Sequence, residues 1–357
     1  MQHSLRLSLS LTGAAALALA GSPFQPVAAQ EDGSAADLGV MEINLKDAVQ
    51  FNWGFQGALQ GAGTPNQAGI GAFLPIAVGE NSVWFIDVLA NANFADYGGN
   101  SSIVNTEVAG TTISTSSRLG YRWLNSDRSW MYGINAGYDS RPMNTGNADS
   151  GVTLYDKESA FFQQISAGLE AVSDTWNFNA YALIPVGDTE QSLNVRYLGG
   201  ALDTYGLDVG YFITPELNAS VGYYYQQGDL DDADGSGVQV ELDYQIADGL
   251  TAGINVSYDE AFETRVSGNI EYRFGSNSSA SISEKKAWEA PTIKALSESV
   301  KNRNIRVHDG ADPNAKCKSP EGHLTDIFLG GIFNTIRFHC SPGATNAATT
   351  GWLRTGY

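Results

Sequence analysis

The chain has 357 residues, a formal net charge of −19 and a sequence pI near 4.4, with 40 glycines and two cysteines. An acid excess of this size argues against a nucleic-acid partner, because phosphate binding needs clusters of Lys and Arg. Cys317 and Cys340 both lie near the C-terminus, so the long middle region is not a disulfide-stapled fold.

The first 29 residues carry the marks of a secretion signal. Arg6 is the only charged residue of the opening, Leu7 to Ala20 are largely apolar, and Val27-Ala28-Ala29 offers a small-residue cleavage site. The apolar run is too short for a membrane anchor, and no later run approaches the ~18–20 apolar residues of a spanning helix. Residues 30–48 then form a short entry segment, periplasmic once exported.

From Phe51 to Phe274 about twelve segments alternate apolar and polar residues, the clearest being Val238 to Tyr244. A period of two gives a strand one apolar and one polar face. The predicted strands are 51–60, 68–78, 82–94, 111–124, 129–139, 160–172, 175–184, 203–213, 217–227, 237–246, 250–259 and 264–274. Their connections alternate between short turns (79–81, 125–128, 173–174, 214–216, 247–249) and longer loops (61–67, 95–110, 140–159, 185–202, 228–236), with 260–263 the short exception. This sorting, behind a secretion signal, predicts an all-β transmembrane antiparallel up-and-down barrel with periplasmic turns and external loops.

Aromatic placement agrees. Trp53, Trp84, Trp123, Trp130 and Trp176 fall at strand ends beside the short turns or the N-terminal entry. Phe94, Tyr138, Tyr225 and Tyr258 fall at the opposite ends. Rings with an apolar body and a polar edge belong at the two membrane interfaces. The outward set is apolar, for example Ile134, Leu169, Val221, Val240, Leu242, Ile254 and Ile270. The inward set is small, polar or charged. Its acids are Asp87, Asp139, Glu170, Asp208, Glu241, Asp243 and Glu271, and its bases are Arg118, Arg122, Arg265 and Arg273. Seven acids against four bases predict a mildly acidic lumen.

Beyond the barrel, Pro291 suits a first helical position, and Ile293, Leu296 and Val300 would share one face of a helix running to Arg303. This linker, residues 276–310, carries Lys285, Lys286, Lys294, Lys301, Arg303 and Arg306 against Glu284, Glu289, Glu298 and Asp309. A basic linker matched to an acidic lumen is expected to occupy the pore.

Several stretches resemble one family. Gly120-Tyr121-Arg122, then Trp130-Met131-Tyr132-Gly133-Ile134-Asn135-Ala136-Gly137-Tyr138-Asp139, resemble a recurrent motif of inverse autotransporter barrels, the intimin/invasin type. Ile165 to Glu170, Ala180 to Pro185, Tyr272 to Gly275 and Val300 to Ile305 are similar to further segments of that family. The resemblance implies a twelve-stranded barrel whose C-terminal linker threads the pore to present a passenger. Only residues 311–357 follow the linker, too few for an immunoglobulin-like domain of about a hundred residues. A role in host-cell adhesion therefore does not carry over.

Other constellations have plain explanations. In the Asp229, Asp231, Asp232, Asp234 loop, Leu230 occupies the first position of a calcium loop and Glu241 belongs to a strand, so an acidic, soluble hairpin loop is the better reading. Cys317, His323, His339 and Cys340 resemble a zinc set, but the adjacency of His339 and Cys340 and the oxidising compartment favour a Cys317–Cys340 disulfide. The tail from Leu324 to Phe338 fits a helix and a hairpin comparably. No catalytic triad, cofactor site or metal site emerges.

Two functions follow. The first is an outer-membrane anchor that displays the small tail, residues 311–357, at the cell surface. The alternative is a porin with a cation-favouring lumen and a periplasmic tail. Either fold implies outer-membrane lipid, periplasmic chaperones and barrel-assembly machinery as partners, and neither names a solute or a receptor.

Overall fold

The computed structural model describes residues 43–230, 233–275 and 290–312, and the short segments Ile336–Arg337 and Leu353–Arg354, which pair antiparallel. The signal segment, Cys317, Cys340, Asp231 and Asp232 lie outside the described residues.

Twelve antiparallel strands form the wall. They are β1 (Asn52–Ala58), β2 (Gln67–Val78), β3 (Ser82–Asn93), β5 (Thr112–Leu124), β6 (Trp130–Ala148), β7 (Ser159–Ser173), β8 (Trp176–Val186), β11 (Asp203–Thr214), β12 (Leu217–Gln227), β13 (Gly235–Ala247), β14 (Leu250–Asp259) and β15 (Glu263–Phe274). Each pairs with its neighbour, and β1 pairs with β15 from Trp53 opposite Phe274 to Ala58 opposite Asn269. The sheet therefore closes on itself and leaves no backbone edge to face hydrocarbon. Tight turns join the strands at one end. At one of them Gly249 has φ +74° and accepts a hydrogen bond from Arg273 N–H, and a Cβ there would lie 2.3 Å from the Arg273 carbonyl oxygen.

The outer face is the apolar one. Ile254 is 59% exposed and Leu169 60%, while the alternating residues face inward. So much exposed aliphatic surface is a liability in water and is what lipid requires. A band of rings follows the short-turn end: Trp84 meets Tyr121 (4.8 Å between centroids), Tyr121 meets Trp123, Trp123 meets Tyr132, and Tyr132 meets Trp130. Trp130 reaches Phe178 on β8 across β7, whose small Ala171 lies opposite both Tyr132 and Phe178 in the ladders. Trp176 and Tyr211 continue the band. Trp53 stacks on Phe274 at the seam. Phe94, Tyr138, Tyr225 and Tyr258 are exposed at the loop end.

The face assignment has a direct test. Ile254→Arg is expected to cost about 2–4 kcal/mol near the bilayer midplane. Asn255→Arg, one residue away and inward, should be tolerated, as measured by denaturant unfolding in lipid. Equal losses would show the faces to be reversed or mixed.

The loop end carries structure that alternation does not predict. Strand β6 extends nine residues past the expected Asp139 and pairs with β4 (Thr106–Ala109). A small three-stranded sheet forms from β9 (Glu190–Ser192), β10 (Tyr197–Ala201) and β16 (Val307–Ala311). Strand β16 belongs to the linker, so a segment from the far end of the sequence is built into the cap over the barrel mouth.

Candidate functional site: the filled lumen

Residues 290–312 run through the barrel from the short-turn end to the loop end. At the first end Thr292 donates to Asp174 in a short turn, and Lys294 donates to Gln245 (2.6 Å). At the other, β16 pairs with β10 from Val307 opposite Ala201 to Ala311 opposite Tyr197. Between them the linker touches β3, β5, β11, β13 and β15 within a dozen residues, a set reachable together only from inside.

The linker starts as a short helix, α2 (Pro291–Lys294), and a 3-10 turn, Ala295–Ser297. The expected helix to Arg303 does not form. Glu298 is extended, its carbonyl accepts Arg122 Nη1 (2.6 Å), and Val300 N–H donates to Asp87 (2.9 Å). Wall side chains take the backbone groups that a continued helix would have paired. Ile293, Leu296 and Val300 nevertheless pack together, in a cluster with Phe73, Val83, Phe85, Leu124 and Met131 from the wall. Ile43, Leu45 and Val49 join it from the entry segment, where α1 (Leu45–Ala48) is capped by Asn44. A second cluster around Met143, Phe162, Leu193, Ile305 and Val307 fills the loop end.

Most lumen charges meet an opposite charge. Arg118 forks onto Asp139 (2.7 and 2.9 Å), and Arg122 onto Glu170 (2.8 and 2.9 Å). Asp87 holds Arg303 of the linker. Glu241 and Asp243 face Lys301 (3.4 and 3.2 Å), and Asp208 accepts from Asn179, Gln239 and Asn302. Arg273 pairs with Glu271 and bonds Ser299, and Arg265 donates to the carbonyls of Phe262 and Ser101. Asp259, absent from the sequence-derived set, takes Arg306 (3.1 Å) together with Tyr224 (2.6 Å). Its alternation register with Ser257 would have marked it as inward.

At the loop end Asp309 is buried and accepts from Asn105 N–H (2.7 Å), Asn105 Nδ2 and Thr106 Oγ1 (2.6 Å). Beside it Val104 holds φ 106°, a conformation that a β-branched residue avoids unless its surroundings impose it. Ser101 Oγ accepts the N–H groups of Ile103 and Val104, and Asp96 accepts those of Ser102 and Val108. Burial pushes the Asp309 carboxyl up to about 7 and also raises Asp96, against the hydrogen bonds that lower them. A carboxyl whose pKa rises on docking takes up a proton there. Docking is then strongest in acid and weakens as pH climbs from the usual carboxylate range through 7. Hydrogen-exchange protection of 307–311 should accordingly be greater near pH 5 than near pH 8, and Asp309→Asn should flatten that difference; a native profile without pH dependence would count against it.

In the acidic loop, Asp229 accepts from Thr189 (2.5 Å) and Asp234 from Gly228 N–H. Glu241 points to Lys301 in the lumen, away from that loop, which removes the last ligand of a calcium-loop reading.

No family model matches the chain, and no curated protein matches it. Solved structures do. A chain from a study of the in-meso crystallization of membrane proteins is 14% identical and superposes with a TM-score of 0.51, over 73% of this chain and 100% of that one. The COG4313 outer membrane channel from Pseudomonas putida F1 (12% identical, TM-score 0.41, 63% of this chain and 95% of that one) and the KdgM porin (9%, 0.36, 63% and 99%) also match. At these identities the likeness concerns the fold alone. The inverse-autotransporter resemblance is corrected: no family model supports it. Its motif residues have a local explanation. The Phe85 ring lies over Gly120, and the Arg122–Glu170 pair lies over Gly133, so a Cβ at either glycine would clash. Large inward groups seated on a neighbouring strand's glycine suit any small barrel.

Proposed function

We propose that this chain is an outer-membrane barrel of the channel class, closed by its own C-terminal linker. The observation that carries this reading is the pairing of linker bases with wall carboxylates: Arg303 with Asp87, Lys301 with Glu241 and Asp243, and Arg306 with Asp259. The wall itself is that of a polar channel, and the linker is its stopper. In this reading residues 49–275 are the barrel in outer-membrane lipid, with long loops outward, and 276–310 are the linker. Chaperones and assembly machinery would deliver it, and it performs no bond chemistry.

The test is conductance in planar bilayers. A chain ending at Gly275 should conduct more than the full-length protein and favour cations, because the acids of its wall outnumber the bases. Equal conductance would remove the stopper from the account. A second reading, an anchor for residues 311–357, is favoured by one observation. Strand β16 ends in the cap at the loop end, so the chain beyond it continues from the side assigned to the cell exterior. That geometry suits display better than the periplasmic tail of the original porin alternative.

A further inference from the structure

The linker does not fill the lumen evenly. Against β3 and β5–β7 it is sealed: the side chains of Asp87, Arg118, Asp139 and Arg122 are 1–2% exposed. Against β13–β15 it is not. Lys301, deep between the walls, has 55% of its side chain accessible, and Glu271 has 36%. Asn269 on β15 is exposed, although its side chain lies inward over Gly253. Toward the short turns the same side reaches Lys294 and Glu298, which are 35% and 51% accessible. These groups mark a solvent-accessible crevice between linker and wall.

At the outer end of this side Arg306 sits within a buried cluster. The Arg306 guanidinium stacks over the Tyr224 ring (4.4 Å to the centroid) and the Phe262 ring (5.4 Å). It binds Asp259 and donates to the Ala62 carbonyl (3.1 Å). Tyr224, Asp259 and Phe262 are buried to within 1–2%, and Leu202 and Ala233 pack beside Phe262. We propose that Arg306 is the outer gate of a cation passage running along β13–β15, which opens without withdrawal of the linker. The permeant class follows from the lining. With the Lys294–Glu298 and Arg306–Asp259 pairs cancelling, the four acids Asp208, Glu241, Asp243 and Glu271 outnumber the three bases Lys301, Arg265 and Arg273. An arginine suits the gate because a cation held between two rings and a carboxylate is seated firmly, and it carries the same charge as the permeant.

This inference rests on the stoppered-channel reading, and the test separates the two. Full-length Arg306→Ala and the milder Arg306→Gln are compared with the native chain and with full-length Asp87→Ala in planar bilayers, folding being checked by heat-dependent gel mobility. Arg306→Ala is expected to raise conductance severalfold with cation over anion selectivity. In it, an Asn302→Cys thiol should stay cross-linkable to Asp208→Cys, showing the linker still in place. Folded Arg306 variants that conduct no more than the native chain, beside an Asp87→Ala that conducts, overturn the gate and leave the stopper. Openings accompanied by loss of the cross-link overturn the gate as well. Variants that all stay silent, Asp87→Ala included, overturn the gate, and the stopper then rests on the conductance of the chain ending at Gly275.

Discussion

Asp87→Ala is expected to unseat the linker. Asp87 sits mid-lumen on β3 and is the one carboxylate that Arg303 contacts as an ion pair among the described residues; the same oxygen accepts the Val300 N–H (2.9 Å). Removing it leaves a buried guanidinium facing Arg118, whose own carboxylate, Asp139, is already occupied by a fork and by Gln164. Breaking such a pair by deleting one partner costs about 3–5 kcal/mol, or roughly two to three and a half powers of ten in the docking equilibrium. The wall should survive, since its ladders do not involve this side chain. The check is the labelling rate of an Asn302→Cys thiol, which should rise steeply in Asp87→Ala and little in Asp87→Asn, where the amide still offers an acceptor. An unchanged rate in Asp87→Ala would mean that the linker is held elsewhere.

Arg122→Ala should cost comparably but act on the barrel as well as on the linker. This guanidinium forks onto Glu170, donates to the Glu298 carbonyl and lies 4.6 Å from the Phe85 ring centroid. Its loss leaves Glu170 largely buried without its cation, worth about 3–5 kcal/mol, and also hollows the cluster around Phe73 and Phe85. The temperature at which the folded gel band disappears should fall markedly. The double variant Arg122→Ala/Glu170→Ala should be less damaged than the sum of the two singles, because the second deletion removes the stranded charge. Strict additivity would mean that the pair is not coupled.

What the sequence revealed and what it hid divide along contact range. Alternation in Val238 to Tyr244 and its counterparts places the strands, because a two-residue period needs only local information. The five tryptophans mark the turn end for the same reason. The inward charges were legible as inward, yet not their partners: Arg118 meets Asp139 across one hairpin, but Asp87 meets Arg303 across 216 residues. The linker's helical period was real in its burial and false in its backbone. Ile293, Leu296 and Val300 do share one core, while Arg122 and Asp87 capture the carbonyl of Glu298 and the N–H of Val300 and end the helix at Ser297. Strands β9, β10 and β16 carry little alternation, since Gly199 and Gly200 face a linker strand whose arrival no local pattern announces. The family resemblance misled because glycines under rings and guanidinium groups are a packing solution that different barrels can share.

The position of the linker inside the folded barrel can be read directly by cross-linking. In a full-length chain with Cys317 and Cys340 replaced by serine, Asn302→Cys on the linker and Asp208→Cys on β11 would be treated with a short bifunctional thiol reagent in intact outer membranes. The native side chains lie 3.5 Å apart. A near-complete internal cross-link is expected, seen as a shifted band on denaturing gels. Two independently labelled thiols with no cross-link in folded protein would contradict it.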